Sequence, residues 1–230
     1  MILRGVDGCP AGWLAVSLDL RTARVTPEVF PDAASLFRDP ALVTAIDIPI
    51  GLPGGQRRTV DGEARQLLGP RASSVFPAPA RVTLDAQSYE DACEASHVVC
   101  GKRLSRQSHA ILPKIKDVDS VLRRDPQLAE RVFEVHPEVC FSVWAEGRPM
   151  RHPKKTGFGF AERIDLVRTV FGDAADAIRV AVPRDQAGDD DILDALAALW
   201  SARRIHSGVA IRLPAEEERD ELGLPMHMLV

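Results

Sequence analysis

Several carboxylates of this chain stand inside apolar runs, where carboxylates are uncommon. Asp7 follows Ile2, Leu3 and Val6, and Asp47 lies within Val43-Thr44-Ala45-Ile46-Asp47-Ile48-Pro49-Ile50. Glu134 interrupts Val132-Phe133-Glu134-Val135-His136, and Asp189, Asp190, Asp191 and Asp194 open the run Ile192-Leu193-Asp194-Ala195-Leu196-Ala197-Ala198-Leu199-Trp200. Burying one unpaired carboxylate costs several kcal/mol, so a fold that gathers several needs a cation among them. Magnesium or manganese suits an all-oxygen site of this kind, and such ions serve phosphoryl chemistry. Two of them about 4 Å apart would activate a water and stabilise a leaving oxygen without any protein nucleophile. The chain has no Gly-x-Ser-x-Gly motif and no Cys/His pairing that would supply one.

Each acid also has a plainer use. Asp7 at a strand end can accept N–H groups of the following turn. Asp189–Asp191 at a helix start complement the macrodipole and cap the helix, which accounts for Asp189 and Asp190. Asp47 and Asp194 resist that treatment. Aspartate is a poor strand former and no cation is near Asp47 in sequence. Asp194 lies a full turn inside its helix and shares a face with Asp190 and Asp191, where like charges repel unless a cation is shared. Glu134 reads as a fourth ligand or as a carboxylate that orients one. His136, without a His/Cys cluster, reads as a packed or hydrogen-bonded histidine.

The elements that must position these groups follow from periodicity and turn residues. Strands are expected at 3–6, 12–20 and 24–30, the second with Trp13, Ala15, Ser17 and Asp19 opposite Leu14, Val16, Leu18 and Leu20. The turn between the first two is 7–11. A short helix follows at 32–37 with Asp32 as its cap, then a buried strand at 43–50. A polar, helical stretch runs to about 131, with helices at 88–100 and 105–124, the second interrupted by Pro113. A strand at 132–136 precedes helices at 137–145, 159–171 and 189–206. Late strands are expected at 209–213 and 225–230. Meander, helix, buried strand, helical excursion, strand and terminal acidic helix together fit an RNase H-like α/β fold. The expectation is one domain over 1–230, a mixed sheet flanked by helices, with a helical insertion after the fourth strand at about 52–131. In that topology acids on the first strand, the fourth strand and the last helix converge.

Several segments also resemble a known family. Gly5-Val6-Asp7-Gly8-Cys9-Pro10-Ala11-Gly12-Trp13, Ile46-Asp47-Ile48-Pro49-Ile50-Gly51-Leu52, Ser74-Val75-Phe76-Pro77-Ala78-Pro79, Phe133-Glu134-Val135-His136-Pro137-Glu138 and Asp190-Asp191-Ile192-Leu193-Asp194-Ala195-Leu196-Ala197-Ala198 are similar to segments of the predicted RNase H-like nucleases of domain of unknown function 429. The resemblance covers nearly the whole chain. It implies the same fold and a nuclease activity. Lys114, in Leu112-Pro113-Lys114-Ile115, and Lys155 match motifs of that family and are expected to face the site.

The expected function is phosphodiester hydrolysis of nucleic acid, DNA or RNA, dependent on Mg2+ or Mn2+. Asp7, Asp47 and Asp194 are the expected ligands, with Asp191 and Glu134 as further ligands or supports. Alternatives are a hydrolase of a small phosphate ester or nucleotide, or a non-catalytic nucleic-acid-binding or regulatory protein on the same fold. The net charge of −4 means that nucleic acid must be met by a local basic patch. The insertion supplies Arg57, Arg71, Arg81, Lys102, Arg103 and Lys114 for one. A single tyrosine argues against an extended stacking platform. No apolar stretch has membrane-spanning length, and no secretory leader precedes the first strand, so a cytoplasmic protein is expected. Cys9, Cys93, Cys100 and Cys140 lack metal or disulfide spacing and are expected as reduced, half-buried thiols. A resolvase-like role would require a homodimer.

Overall fold

Apolar alternation and turn residues build an α/β fold with a mixed seven-stranded sheet and ten α-helices, described over residues 1–230 in a computed structural model. Strands β1 (Ile2–Cys9), β2 (Gly12–Asp19) and β3 (Arg24–Phe30) form an antiparallel meander. Helix α1 (Ala33–Leu36) leads to β4 (Val43–Ile46), which pairs parallel with β1. A helical excursion follows, comprising α2 (Thr59–Leu68), α3 (Tyr89–Cys100), α4 (Arg106–Ala110), α5 (Leu112–Leu122) and α6 (Pro126–Ala129). Strand β5 (Val132–Glu134) adds parallel to β4. Helices α7 (Pro137–Trp144), α8 (Gly157–Phe171), α9 (Ala174–Ala181) and α10 (Asp189–His206) precede the short strands β6 (Arg212–Leu213) and β7 (Met228–Leu229). The sheet order is β3-β2-β1-β4-β5-β7-β6. No helix is long and apolar enough to cross a membrane.

Local chemistry accounts for the boundaries. Asp32 caps α1 by accepting the Ser35 N–H at 2.7 Å. The helix expected at 105–124 breaks at Ile111, and Pro113 sits in the first turn of α5, where its missing N–H costs nothing. Asp7, expected in the turn, instead belongs to β1 and pairs with Leu14, which leaves Pro10 and Ala11 as the turn. Helix α9, short but amphipathic, with Ala175 and Ile178 buried, is an addition to the expected elements. The cysteines are free, but Cys9, Cys93 and Cys140 are buried outright, not half-buried.

Strand parity divides the core between the two faces of the sheet. Leu3, Leu14, Val16, Val43 and Ala45 pack with α7, α8 and α10 on one face. Val6, Trp13, Ala15, Ile46 and Val132 pack with α1 and α5 on the other. Gly5 shares the first face with Leu3 and Asp7, and a methyl group there would overlap the backbone of Ala195 and Leu199. Only glycine lets α10 lie directly on β1. The small residues Ala195, Ala197, Ala198, Ser201 and Ala202, all buried, complete that close approach.

Candidate acidic site

Three aspartates meet because register and helix approach coincide. In the parallel pair, Val6 lies opposite Ile46, and the Asp47 N–H donates to the Val6 carbonyl at 3.0 Å. Asp47 thus stands beside Asp7, and both belong to the sheet face that carries α10. The contact at Gly5 lays the second turn of α10, with Asp194, on the same spot. Asp7 and Asp194 are 7% and 1% exposed, and Asp47 is half-buried. They line one cavity of about 470 Å3 at the carboxyl ends of β1 and β4, the end at which parallel strands offer crevices to ligands. Arg71, Ser74, Phe76, His136, Glu138 and Lys154 share that cavity wall.

The cation among these acids comes from the protein. Lys154 Nζ lies 2.5 Å from Asp194 Oδ2 and 3.8 Å from Asp190 Oδ2. A lysine ammonium thus meets the Asp190/Asp194 face. Burial opposes its charge, but Asp194, Asp7 and Asp47 hold it above the ordinary lysine range. The loop before α8 that presents Lys154 is anchored by Arg163, which donates to the His152 carbonyl at 3.2 Å and grips buried Glu138 in a two-pronged pair. Glu162 accepts the N–H groups of Arg151 and His152, at 2.9 and 3.2 Å.

The acids remain under strain despite Lys154. Burial first, then Asp194 and Asp47, push Asp7 well above the usual carboxylate range. Burial raises Asp47 to about 6 against the pull of Lys154, with Glu138 adding to the rise. Burial likewise lifts Asp194 to about 6 although Lys154 opposes it. Asp194 Oδ1 is buried with no hydrogen-bond partner. An orphaned carboxylate oxygen beside two further carboxylates is the donor chemistry of a hard divalent cation. As they stand, no three acidic, histidine or cysteine side chains close around one point to form a ready-made metal shell. The donor chemistry suits such an ion, which would have to compete with Lys154 for Asp194 and draw the carboxylates together.

Other expected site residues lie elsewhere. Glu134 is opposite Ile46 in the β4–β5 register and so faces away from Asp47. Its carboxylate accepts two bonds from buried Arg58, at 2.7 and 2.8 Å, and the Ile50 N–H at 2.7 Å. Arg58 also binds Asp61 at 2.6 Å, so Glu134 belongs to a buried ion network that pins the 50–58 loop, not to the acidic cavity. Asp191 Oδ2 accepts the N–H of Gly188, the N-cap of α10, at 2.8 Å, so it closes the first turn of that helix from its third position. Asp189, expected as the cap, pairs with Arg179 and Arg184. Lys155 is exposed and absent from the cavity wall; its neighbour Lys154 holds the place expected of it. Lys114 does reach the wall, but its ammonium is held by the carbonyls of Cys9, at 3.2 Å, and Gly12, above the Trp13 ring.

His136, expected as a packed or hydrogen-bonded side chain, is on the cavity wall as well. Its Nε2 faces the Ser74 carbonyl at 3.2 Å. A carbonyl can only accept, so Nε2 carries the proton, and burial keeps the ring neutral by lowering its pKa. Nδ1 is buried and unpartnered. Sequence reasoning did not pick out Glu138, expected Arg71 only as one base of the patch, and favoured Lys155 over Lys154. Within His152-Pro153-Lys154-Lys155-Thr156-Gly157 nothing local distinguishes the two adjacent lysines.

No curated protein and no solved structure matches the chain. A family model described as a protein of unknown function, DUF429, matches residues 5–219. With nearly its whole length matched, carboxylate-bearing strands and acidic helix included, the chain belongs to the DUF429 family.

Proposed function

We propose that this protein is an RNase H-like phosphodiesterase that hydrolyses nucleic acid with the help of Mg2+ or Mn2+. The fold reading rests on the order β3-β2-β1-β4-β5, with an antiparallel meander and two further strands parallel to β1. The observation that carries the function is the convergence of Asp7, Asp47 and Asp194, with a buried oxygen of Asp194 left without a partner. A buried structural aspartate normally satisfies both carboxylate oxygens, whereas Asp194 satisfies only Oδ2, through Lys154.

A bound divalent ion would supply charge to the phosphate oxygens and lower the pKa of water. Asp7, Asp47 and Asp194 would hold it. The chain's own residues supply the rest. Water attacks phosphorus as one ester P–O bond breaks, and the departing oxygen takes up a proton. The proton shed by the water is the one the departing oxygen takes up, carried through solvent, while neutral His136 stays tied to the Ser74 carbonyl on the same wall. Arg71, half-buried and 3.9 Å from Glu138, can turn its guanidinium to a phosphate oxygen. Lys154, once released from Asp194, adds a second cation to the same wall.

A second reading is favoured by the cavity itself. A volume of about 470 Å3 fits one nucleotide or a small phosphate ester, not a duplex. The two readings separate on substrate length. Labelled oligonucleotides and mononucleotide esters would be incubated with manganese and either wild-type protein or Asp7→Asn. Cleavage of oligonucleotides by the wild type alone supports the nuclease; turnover of mononucleotides alone supports the small-ester hydrolase. Equal, metal-independent behaviour of both proteins would overturn both.

A further inference from the structure

Outside the acidic cavity, the most distinctive surface lies on the helical excursion. A groove of about 640 Å3 runs between the 55–57 loop and the turn that links α3 to α4, floored by Pro77, Ala78 and Pro79. Arg57, Lys102 and Arg103 project from its two walls, and all three are exposed. No aspartate or glutamate lines it. That is unusual for a chain of net charge −4, whose acids elsewhere interleave with its bases. Uncompensated cations in a concave, partly apolar wall raise the local concentration of an anionic ligand.

The groove adjoins the acidic cavity. Phe76 lines both, and its ring is 45% exposed. A large apolar ring in that position has no core to serve. It offers a face on which a base can stack, at the point where a chain leaving the cavity would enter the groove. The cavity has room for one nucleotide and the groove for the next ones.

We propose that this groove is the strand-binding subsite of the enzyme, taking the single-stranded continuation of the nucleic acid whose scissile phosphate lies over Asp7, Asp47 and Asp194. This deepens the nuclease reading and rests on it. Arg57, Lys102 and Arg103 contact successive phosphates without reading sequence, and Phe76 stacks the base between groove and cavity. Single strands are favoured because a wall that turns from groove to cavity past one aromatic ring suits unstacked nucleotides.

The test uses binding, so that it does not depend on turnover. A fluorescent dodecathymidylate would be titrated in EDTA, across a salt series, into the wild type, Phe76→Ala and the triple variant Arg57→Gln/Lys102→Gln/Arg103→Gln. All altered side chains are exposed, and circular dichroism checks their folding. Three phosphate contacts predict that the triple variant's slope of log K against log salt is shallower by about 2, from roughly 0.7 per contact on single strands. Phe76→Ala is expected to weaken binding about tenfold with the slope unchanged. Triple-variant binding with wild-type affinity and slope would overturn the subsite, as would a wild type that ignores the oligonucleotide but binds polyglutamate. If the slope changes as expected while manganese yields no cleavage, the groove stands and the nuclease reading falls. If cleavage occurs and the triple variant binds and cuts like the wild type, the nuclease reading stands and the groove falls.

Discussion

Lys154 Nζ lies 2.5 Å from Asp194 Oδ2, so the acidic site carries its own counterion. Removing that counterion leaves Asp7, Asp47 and Asp194 without a cation. Lys154→Met is expected to destabilise the metal-free protein by about 1–3 kcal/mol, below the figure for a fully buried pair because Lys154 is 37% exposed. The same variant should bind manganese more tightly than wild type, since no ammonium competes for Asp194, and saturating metal should restore its stability. Lys155→Met, one residue along and exposed, should change neither quantity. Calorimetric titration and thermal melts with and without manganese check both.

Asp7 and Glu134 are both buried carboxylates on strands, yet they should respond oppositely to neutralisation. Asp7 has anionic neighbours and a strongly raised pKa, so Asp7→Asn should stabilise the metal-free protein by about 1 kcal/mol or more and abolish manganese binding. Glu134 neutralises Arg58 in a network that is almost wholly buried. Glu134→Ala should cost about 3–5 kcal/mol, and metal should not bring it back. A loss of manganese binding in a Glu134 variant shown to be folded would count against the site as drawn.

The pH dependence of the metal-free protein follows from the raised acids. Asp47 and Asp194 are lifted to about 6, whereas an unfolded aspartate titrates near ~3.9. The folded state therefore binds more protons than the unfolded chain in between. The contribution of these groups is full below about pH 4 and is lost as pH rises through about 6. Urea midpoints of Asp47→Asn and wild type should diverge across that window, the variant gaining as pH rises. A divalent ion should shrink the gap by stabilising the ionised wild-type carboxylates.

Gly5 sets the distance between β1 and α10. Gly5→Ala would drive a methyl group into the backbone at Ala195 and Leu199, pushing Asp194 away from Asp7 and Asp47. Loss of manganese binding and several kcal/mol of stability are expected. Gly62 in α2 is the control, because a methyl group there meets nothing within 4 Å. Gly62→Ala should stabilise by about 0.5–1 kcal/mol and leave the site untouched. Denaturant titrations of the two variants provide the comparison.

The residues by themselves determined which acids are out of place. Asp47 in an apolar strand run and Asp194 a turn inside an apolar helix conflict with burial wherever the chain folds, and both entered the cavity. Period-2 alternation in 12–20 and the capping aspartate at 32 are local signals, and they correctly set β2 and α1. What tertiary structure decided were the relations between segments. Parity within 132–136 says that Glu134 and Val132 share a face, but only the β4–β5 register says that this face is turned from Asp47. The choice of Lys154 over Lys155 depends on a loop held by Arg163 and Glu162, contacts made across sequence separations of about ten residues. Asp191 and Asp194 differ in sequence only by position. Gly188 donates to the one, and the lysine reaches the other, because α10 enters the sheet at the angle Gly5 permits. Local propensity is encoded residue by residue; counterion choice and strand register arise from packing between distant segments, where no single stretch of sequence carries the information.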